Sequence, residues 1–174
     1  TGTITKTAAI GNGATAPITY ISGDTSATIS FPTGSIPTAF TILGLTRYNG
    51  GLRRRILQSR TSGVNWLLGH YLAVRGIAYF VNNYYTDAGG IDGNQDDWLC
   101  SIAKSSGTVP SNILMNGIQK GAGMATTTGG YELAVNIGIN EKSDWALSTV
   151  MIWNSALTDA EMVLLNTAID TYKS

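Results

Sequence analysis

The sequence predicts an all-β protein, a two-sheet antiparallel β-sandwich with one short C-terminal helix. Only 13% of the 174 residues are charged, 43% are apolar and 21 are glycine. This composition is typical of short strands joined by tight turns and not of long amphipathic helices. Short apolar segments recur between turn residues, and no repeat of fixed period is visible. We expect one domain over residues 1–174, in which the strands of residues 1–35 are the least clearly marked.

About ten strands are expected, because short apolar runs alternate with turn residues. The first two clear ones, residues 18–21 and 27–31, flank the turn residues 22–24 and are expected to form a hairpin. Asn116 and Gly117 form the strongest short-range hairpin signal, between residues 112–115 and 118–119. The other strands are predicted at residues 40–45, 55–60, 65–74, 77–81, 98–103, 131–138 and 145–153, with a long polar loop at 82–97.

One helix is expected, close to the end of the chain. Thr158 and Glu161 form a capping-box pattern, in which the hydroxyl accepts from the N3 amide and the carboxylate accepts from the cap amide. Leu157 and Met162 occupy the positions of a hydrophobic staple. The apolar stripe of the helix comprises Met162, Leu165 and Ile169. The pattern predicts a satellite helix that covers one edge or end of a sheet and carries no chemistry.

Several segments of the second half follow one another in a set order. A strand opening with Trp98 is followed by the Asn116-Gly117 hairpin, a strand ending at Gly138, and a strand closing in Trp153 that leads into a Leu-Thr-x-x-Glu segment at 157–161. In this order, over about residues 38–170, the chain resembles the laminin-G-like and concanavalin-A-like jelly-roll domains of the lectin and glucanase superfamily. Residues 1–35 lie outside the likeness, and Asp144 stands in a segment where the family usually has aromatic-x-Gly. The resemblance implies a jelly roll that recognises carbohydrates or cell surfaces, and it implies no single ligand.

Charge, hydropathy and cysteine content limit the classes of function. The formal net charge is zero, so global electrostatics indicates no partner. The chain has no apolar run of about 18 residues, which predicts no membrane insertion. Cys100, the single cysteine, lies in an apolar strand and is predicted to be a core residue and not a nucleophile. The chain begins with Thr1 and has no signal-peptide pattern, so we expect a module excised from a larger protein that is extracellular or on a virion surface.

Five of the six arginines lie within fourteen residues. They are Arg47, Arg53, Arg54, Arg55 and Arg60. Guanidinium groups pair well with carboxylate and sulfate, so the last four of them are predicted to form a patch for an anionic ligand. The alternative is a solvated loop and an edge strand protected by charge. The cluster lacks interleaved aromatic residues, so no nucleic-acid partner is expected.

Aromatic and amide side chains near the polar loop are candidates for sugar binding, because the C–H face of a sugar packs on an aromatic ring. The candidates are Tyr79, Asn82, Tyr84 and Tyr85, with Tyr131 and Trp145 as further ones. Trp66, Trp98 and Trp153 lie in apolar strands and are predicted to be core residues.

The polar loop also carries acidic residues among glycines. Asp87, Asp92 and Asp96 are predicted as possible oxygen ligands for calcium, the only cofactor that the sequence indicates. Their spacing does not match the EF-hand pattern. The alternative is a solvated surface loop.

A catalytic alternative rests on the strand that contains the single histidine. A Tyr71 base with His70, and with Arg75 neutralising a uronate, would suit a polysaccharide lyase. The alternative for these residues is a strand at the edge of the core. The chain has only three glutamates. None has a carboxylate partner two or four residues away on one strand, and Glu161 is used for capping, so the two-carboxylate geometry of an ordinary glycosidase is disfavoured.

Three functions therefore stay open. The first is a non-catalytic carbohydrate-recognition domain that binds a cell-wall or cell-surface polysaccharide. The second is a domain that degrades polysaccharide, as a lyase or glycoside hydrolase. The third is a structural or oligomerisation module with no affinity for glycans.

Overall fold

The computed structural model describes residues 2–80, 89–105, 113–121, 129–138 and 140–174, and the backbone alone of residues 83–84. Within them, thirteen strands form two antiparallel sheets that pack face to face, and one helix lies outside the larger sheet. The predicted all-β sandwich with a C-terminal helix is confirmed.

The larger sheet has seven strands and the smaller sheet has six. In spatial order, the larger sheet contains β1 (Thr5–Gly11), β2 (Ala14–Gly23), β13 (Trp145–Trp153), β4 (Thr41–Tyr48), β9 (Leu99–Lys104), β10 (Ile113–Met115) and β11 (Ile118–Gln119). The smaller sheet contains, in spatial order, β3 (Ile29–Ser30), β12 (Leu133–Val135), β5 (Leu57–Ser59), β6 (Trp66–Tyr71), β7 (Val74–Phe80) and β8 (Asn83–Tyr84).

The main core fills the space between the two sheets. Trp66 stacks on Phe80 with ring centroids 5.3 Å apart, and Trp145 is fully buried in the same core. The Trp145 indole nitrogen donates to the Ala27 carbonyl at 3.0 Å. Trp145 is therefore a core residue, and the prediction that it contacts sugar is wrong.

The C-terminal helix, α1 (Asp159–Lys173), has the predicted capping box. The Glu161 amide donates to the Thr158 hydroxyl (3.3 Å), and the Thr158 amide donates to a Glu161 carboxylate oxygen (2.7 Å). Met162 and Ile169 share a second core with Leu43. The helix thus covers a face of the larger sheet and not an edge. Among the described residues, no helix is both long and apolar enough to cross a membrane.

Replacing Thr158 by Ala is expected to lower the free energy of unfolding by about 1 kcal/mol, because the cap oxygen that satisfies the Glu161 amide is lost. Urea unfolding monitored by circular dichroism measures the change. Thr167→Ala is the control, since its hydroxyl bonds only to the Val163 carbonyl within the same helix and alanine is the better helix former. Equal losses in the two variants would contradict a role for the cap.

The predicted hairpin across residues 22–24 is wrong. β2 ends beside β13 in the larger sheet, whereas β3 pairs with β12 in the smaller one. The Asp24 carboxylate accepts hydrogen bonds from the amide (2.8 Å) and the hydroxyl (2.6 Å) of Ser26. This local turn carries the chain from one sheet to the other. The turn residues were correctly identified, but a turn does not determine which strand the chain pairs with next.

The predicted strand at residues 65–74 is two strands. Leu72 and Ala73 both adopt left-handed backbone angles (φ 48° and 65°) and join β6 to β7 in a two-residue turn. Glycine or asparagine normally marks such a turn, so no local signal indicates this one. As a result His70, and not Tyr71, is the register partner of Arg75.

Residues 5–23 form a hairpin that was not predicted. Asn12 and Gly13 occupy its turn with φ 53° and 78°, and β1 pairs with β2 on either side. The same dipeptide at Asn116 and Gly117 forms the predicted β10–β11 hairpin, with φ 48° and 76°. The N-terminal strands therefore extend the larger sheet at one edge.

Candidate functional site

Two loop segments are joined by four hydrogen bonds, each of which is donated by a backbone amide. One is residues 52–55, which precede β5, and the other is residues 141–144, which precede β13. Leu52 and Asp144 bond twice, from the Leu52 amide to Asp144 Oδ2 (2.9 Å) and from the Asp144 amide to the Leu52 carbonyl (2.8 Å). The Arg54 amide donates to Ser143 Oγ (2.7 Å), and the Arg55 amide donates to the Glu141 carbonyl (3.0 Å). The side chains of both segments therefore start from fixed backbone positions.

A small pocket, termed the Tyr71 pocket, opens on the outer face of the smaller sheet. It has a volume of about 160 Å³ and is lined by Arg55, Asn65, Leu67, Tyr71 and Tyr79. Leu67 and Tyr79 are register partners on β6 and β7, and the residues on either side of each belong to the inner core. Because side chains alternate along a strand, Leu67 and Tyr79 point away from that core.

The charges in this pocket are balanced by Glu141. Arg55 Nε lies 2.8 Å from Glu141 Oε2, and Arg55 Nη1 donates to Asn65 Oδ1 at 2.6 Å. The Arg55 guanidinium also lies over the Tyr71 ring, 5.2 Å from its centroid. The Tyr71 hydroxyl is 3.5 Å from Glu141 Oε1. These contacts hold one aromatic ring beside a set of donors and acceptors, which is what recognition of a polyhydroxylated ring requires.

The predicted arginine patch does not form as one surface. Arg53 pairs with Asp96 (2.6 Å), and Arg60 pairs with Glu132 (3.3 Å). Arg55 belongs to the Tyr71 pocket. Arg54 alone of the four is exposed without an acidic partner in the described part of the chain.

Arg47, the first arginine of the cluster, is buried. Its guanidinium lies 5.3 Å from the centroid of the Tyr20 ring and 5.2 Å from that of Trp98, and Nη1 donates to the Tyr48 carbonyl. Cation–π contacts with two rings stabilise a cation at this depth. Arg47 is therefore unavailable to a ligand at the surface.

The three residues of the lyase hypothesis are not brought together. His70 is fully buried, and its ring packs edge-on against Tyr48 with centroids 4.7 Å apart. Burial, with the nearby Arg75 charge, lowers the pKa of His70 to about 3. Tyr71 instead lies on the outer face beside Arg55. A neutral histidine inside the sandwich cannot exchange a proton with a substrate at Tyr71.

Arg75 and the acidic loop hold each other in place. Arg75 is buried, its Nη2 donates to the Asp92 carbonyl at 2.6 Å, and its amide donates to Gln95 Oε1 at 2.8 Å. A Cβ at Gly90 would lie only 2.1 Å from the Arg75 carbonyl oxygen, and a Cβ at Gly93 would lie only 2.3 Å from Arg75 Nη2. These two glycines permit close packing of the loop on β7.

A calcium site is not formed by the part of this loop that the structure describes. Asp96 pairs with Arg53, and Asp92 uses its carbonyl for Arg75. Within the described ranges, no group of three or more His, Cys, Asp or Glu side chains could hold a metal ion. Asp87, the third predicted ligand, lies outside the described residues.

The residues predicted to contact sugar divide into three groups. Tyr79 lines the pocket, whereas Tyr131 is a buried core residue like Trp145. Asn82 and Tyr85 lie outside the described residues, and the side chain of Tyr84 is not described. Trp66 and Trp98 are core residues as predicted, while Trp153 is half-buried.

Cys100 is fully buried in the second core, as expected, and burial raises the pKa of its thiol to about 12. The thiol therefore stays protonated at neutral pH and is not a nucleophile.

Asn65, Leu67 and Glu141 were not predicted as site residues. Asn65 immediately precedes β6, and polar residues at strand ends are too common to indicate a site. Glu141 had no carboxylate partner nearby in the sequence, and its actual partners, Arg55 and Tyr71, are 86 and 70 residues away. No local signal could have indicated these contacts.

Comparisons with known proteins place the chain by its fold. No family model matches the sequence, and no curated protein matches it. Solved structures do match over nearly the whole chain. Domain 4 of AbnA, a GH43 extracellular arabinanase from Geobacillus stearothermophilus in complex with arabinotriose, has a TM-score of 0.58 at 15% identity, covering 95% of this chain and 87% of that domain.

Two larger proteins contain similar domains. The binding domain of Paraclostridial Mosquitocidal Protein 1 has a TM-score of 0.59 at 13% identity, and Trypanosoma rangeli sialidase in complex with sialic acid has a TM-score of 0.58 at 10% identity. The matches cover 97% and 96% of this chain, but only 48% of the first protein chain and 30% of the second. This chain has the fold that these domains share, a concanavalin-A-like jelly-roll β-sandwich.

Proposed function

We propose that this chain is a non-catalytic carbohydrate-binding domain of a larger extracellular protein, and that the Tyr71 pocket holds one sugar ring. The observation that carries the proposal is the arrangement of Tyr71 and Tyr79 beside Arg55, Asn65 and Glu141. Aromatic rings pack against the apolar face of a sugar, and amide, guanidinium and carboxylate groups pair with its hydroxyls.

Three further observations support this proposal. The pocket groups are already oriented by bonds to one another, as the Arg55–Asn65 bond of 2.6 Å illustrates, so binding a ligand costs little side-chain ordering. Among the similar folds, one structure contains arabinotriose and another contains sialic acid. A binding module needs no general base that reaches its ligand. This agrees with the position of His70, which is buried inside the sandwich.

Replacing Tyr71 or Tyr79 by Ala is expected to weaken retention on a glycan by roughly ten- to hundredfold, which corresponds to about 1–3 kcal/mol of binding free energy. The measurement is binding of the purified domain to an array of plant, algal and bacterial cell-wall polysaccharides, followed by titration calorimetry on the glycans that retain it. Tyr172→Ala is the control, because Tyr172 is 41% exposed on α1, away from the pocket.

Equal weakening by Tyr172→Ala would show that the pocket is not the binding site. Release of soluble sugar from any wall, above that of a heat-inactivated sample, would contradict a purely binding function and favour the degradative alternative. A domain that binds nothing on the array would contradict carbohydrate binding and favour a structural module.

A further inference from the structure

Arg54 and Lys142 are cations that no carboxylate among the described residues neutralises. Arg53, Arg55 and Arg60 have carboxylate partners, namely Asp96, Glu141 and Glu132 respectively. Neither Arg54 nor Lys142 forms an ion pair with any residue in the described ranges. Within the described ranges, Arg54 is thus the one arginine of residues 53–60 that has no carboxylate partner.

These two cations line one cleft. Its volume is about 510 Å³, and Thr25, Leu52 and Asn140 complete the lining. The Arg54 backbone is fixed at both ends, because its amide donates to Ser143 Oγ (2.7 Å) and its carbonyl accepts from the Tyr48 hydroxyl (2.8 Å). Leu52 is 56% exposed and gives the cleft an apolar wall beside its two charges.

The cleft and the Tyr71 pocket are built in part from adjacent residues of the same two segments, 52–55 and 140–144. Glu141 pairs with Arg55 in the pocket, whereas its neighbours Asn140 and Lys142 line the cleft. In the other segment, Arg55 lines the pocket and Arg54 lines the cleft. A glycan chain that spans the two sites would place a neutral ring in the charge-balanced pocket and a charged group in the cationic cleft.

We propose that the cleft binds an anionic substituent, a carboxylate or a sulfate, on a residue of the same glycan chain that occupies the Tyr71 pocket. The inference rests on the proposed function, since it names the class of glycan that the domain prefers. Charge-assisted hydrogen bonds from guanidinium and ammonium groups are about twice as strong as neutral ones. The preference is expected to be largest at low ionic strength, because the cleft is open to solvent.

The test compares glycans that differ only in charge. The carboxylate arm uses polygalacturonate and its methyl ester, and the sulfate arm uses dextran sulfate and dextran, both added to the cell-wall array. The variant Arg54→Gln/Lys142→Gln removes both cations of the cleft. The control Arg60→Gln/Lys6→Gln removes the same net charge elsewhere, since Arg60 pairs with Glu132 and Lys6 lies on β1.

Wild type is expected to bind the anionic members of at least one arm tenfold or more tightly than the neutral ones. The cleft variant should lose that preference and keep its affinity for neutral members, while the control keeps both. Equal binding of charged and neutral glycans, or equal losses in variant and control, would overturn the inference and leave the proposed function standing. Absence of binding to every glycan would overturn the proposed function itself.

Discussion

Acidification from pH 7 to pH 3 is expected to lower the free energy of unfolding by roughly 3–5 kcal/mol through His70 alone. Burial, followed by the Arg75 charge, lowers the folded-state pKa of this histidine to about 3, against a usual value of about 6.5 in an unfolded chain. Above pH 6.5 His70 is neutral in both the folded and the unfolded chain, so it causes no loss of stability there. Between pH 6.5 and 3 only the unfolded state gains the proton, so stability falls by about 1.4 kcal/mol per pH unit.

The measurement is urea unfolding at several pH values, compared with the variant His70→Gln. Glutamine can keep a hydrogen bond to Thr46, whose hydroxyl lies 3.3 Å from His70 Nδ1, but it does not titrate. Hydrogen bonds from Ser26 and Thr158 lower the pKa values of Asp24 and Glu161 respectively. Protonation of these two carboxylates in acid therefore also lowers the free energy of unfolding. Their contribution is the same in both proteins, so the difference between the two pH profiles isolates His70.

Nuclear magnetic resonance gives an independent check. His70 is the only histidine in the chain, so its ring signals are assigned without ambiguity. The folded protein should keep neutral-ring chemical shifts at pH 5. A ring that titrates near pH 6.5 in the folded state, or identical pH profiles for wild type and His70→Gln, would show that the interior does not exclude the proton.

The elements that the sequence predicted correctly are those with a local cause. The capping box needs only Thr158 and Glu161, three residues apart, and the Asn116-Gly117 turn needs only two adjacent residues. Pairing between distant strands has no such cause. The chain from β2 leaves its sheet at Asp24, although the turn residues there would equally suit a hairpin. The Leu72–Ala73 turn could not be predicted, because neither residue favours a left-handed backbone.

The candidate site shows the same limit. Arg55, Tyr71 and Tyr79 were each predicted as site residues, but under three separate hypotheses: an anionic patch, a lyase and an aromatic sugar platform. The fold unites them in one pocket. Ion pairing then decides which charges remain available, since Asp96 and Glu132 neutralise Arg53 and Arg60 while Arg54 stays free of carboxylates among the described residues. Composition cannot show this pairing, because it depends on residues that are distant in the sequence.

Replacing Asn136 by Ala is expected to destabilise the domain by about 4 kcal/mol. Asn136 is fully buried with φ 59°. Its Nδ2 donates to the carbonyls of Asp24 (3.1 Å) and Ala27 (2.9 Å), and its Oδ1 accepts from the Ser143 amide (2.6 Å). Alanine leaves the buried Ser143 amide without a partner, which costs about 1–3 kcal/mol. The variant also loses the two hydrogen bonds of Nδ2, and an alanine with a left-handed backbone costs about 1 kcal/mol more.

Asn140→Ala is the matched control, because Asn140 has nearly the same backbone angle (φ 58°) but is exposed. It should lose only the backbone contribution, about 1 kcal/mol. Equal losses at the two positions in urea unfolding would show that the side-chain bonds of Asn136 contribute nothing. Ser143 also accepts the Arg54 amide through its hydroxyl, so Asn136 supports the segment that carries Arg54 and Lys142. Wherever Asn136→Ala remains folded, we therefore expect its preference for anionic glycans to fall, although Asn136 itself does not line the cleft.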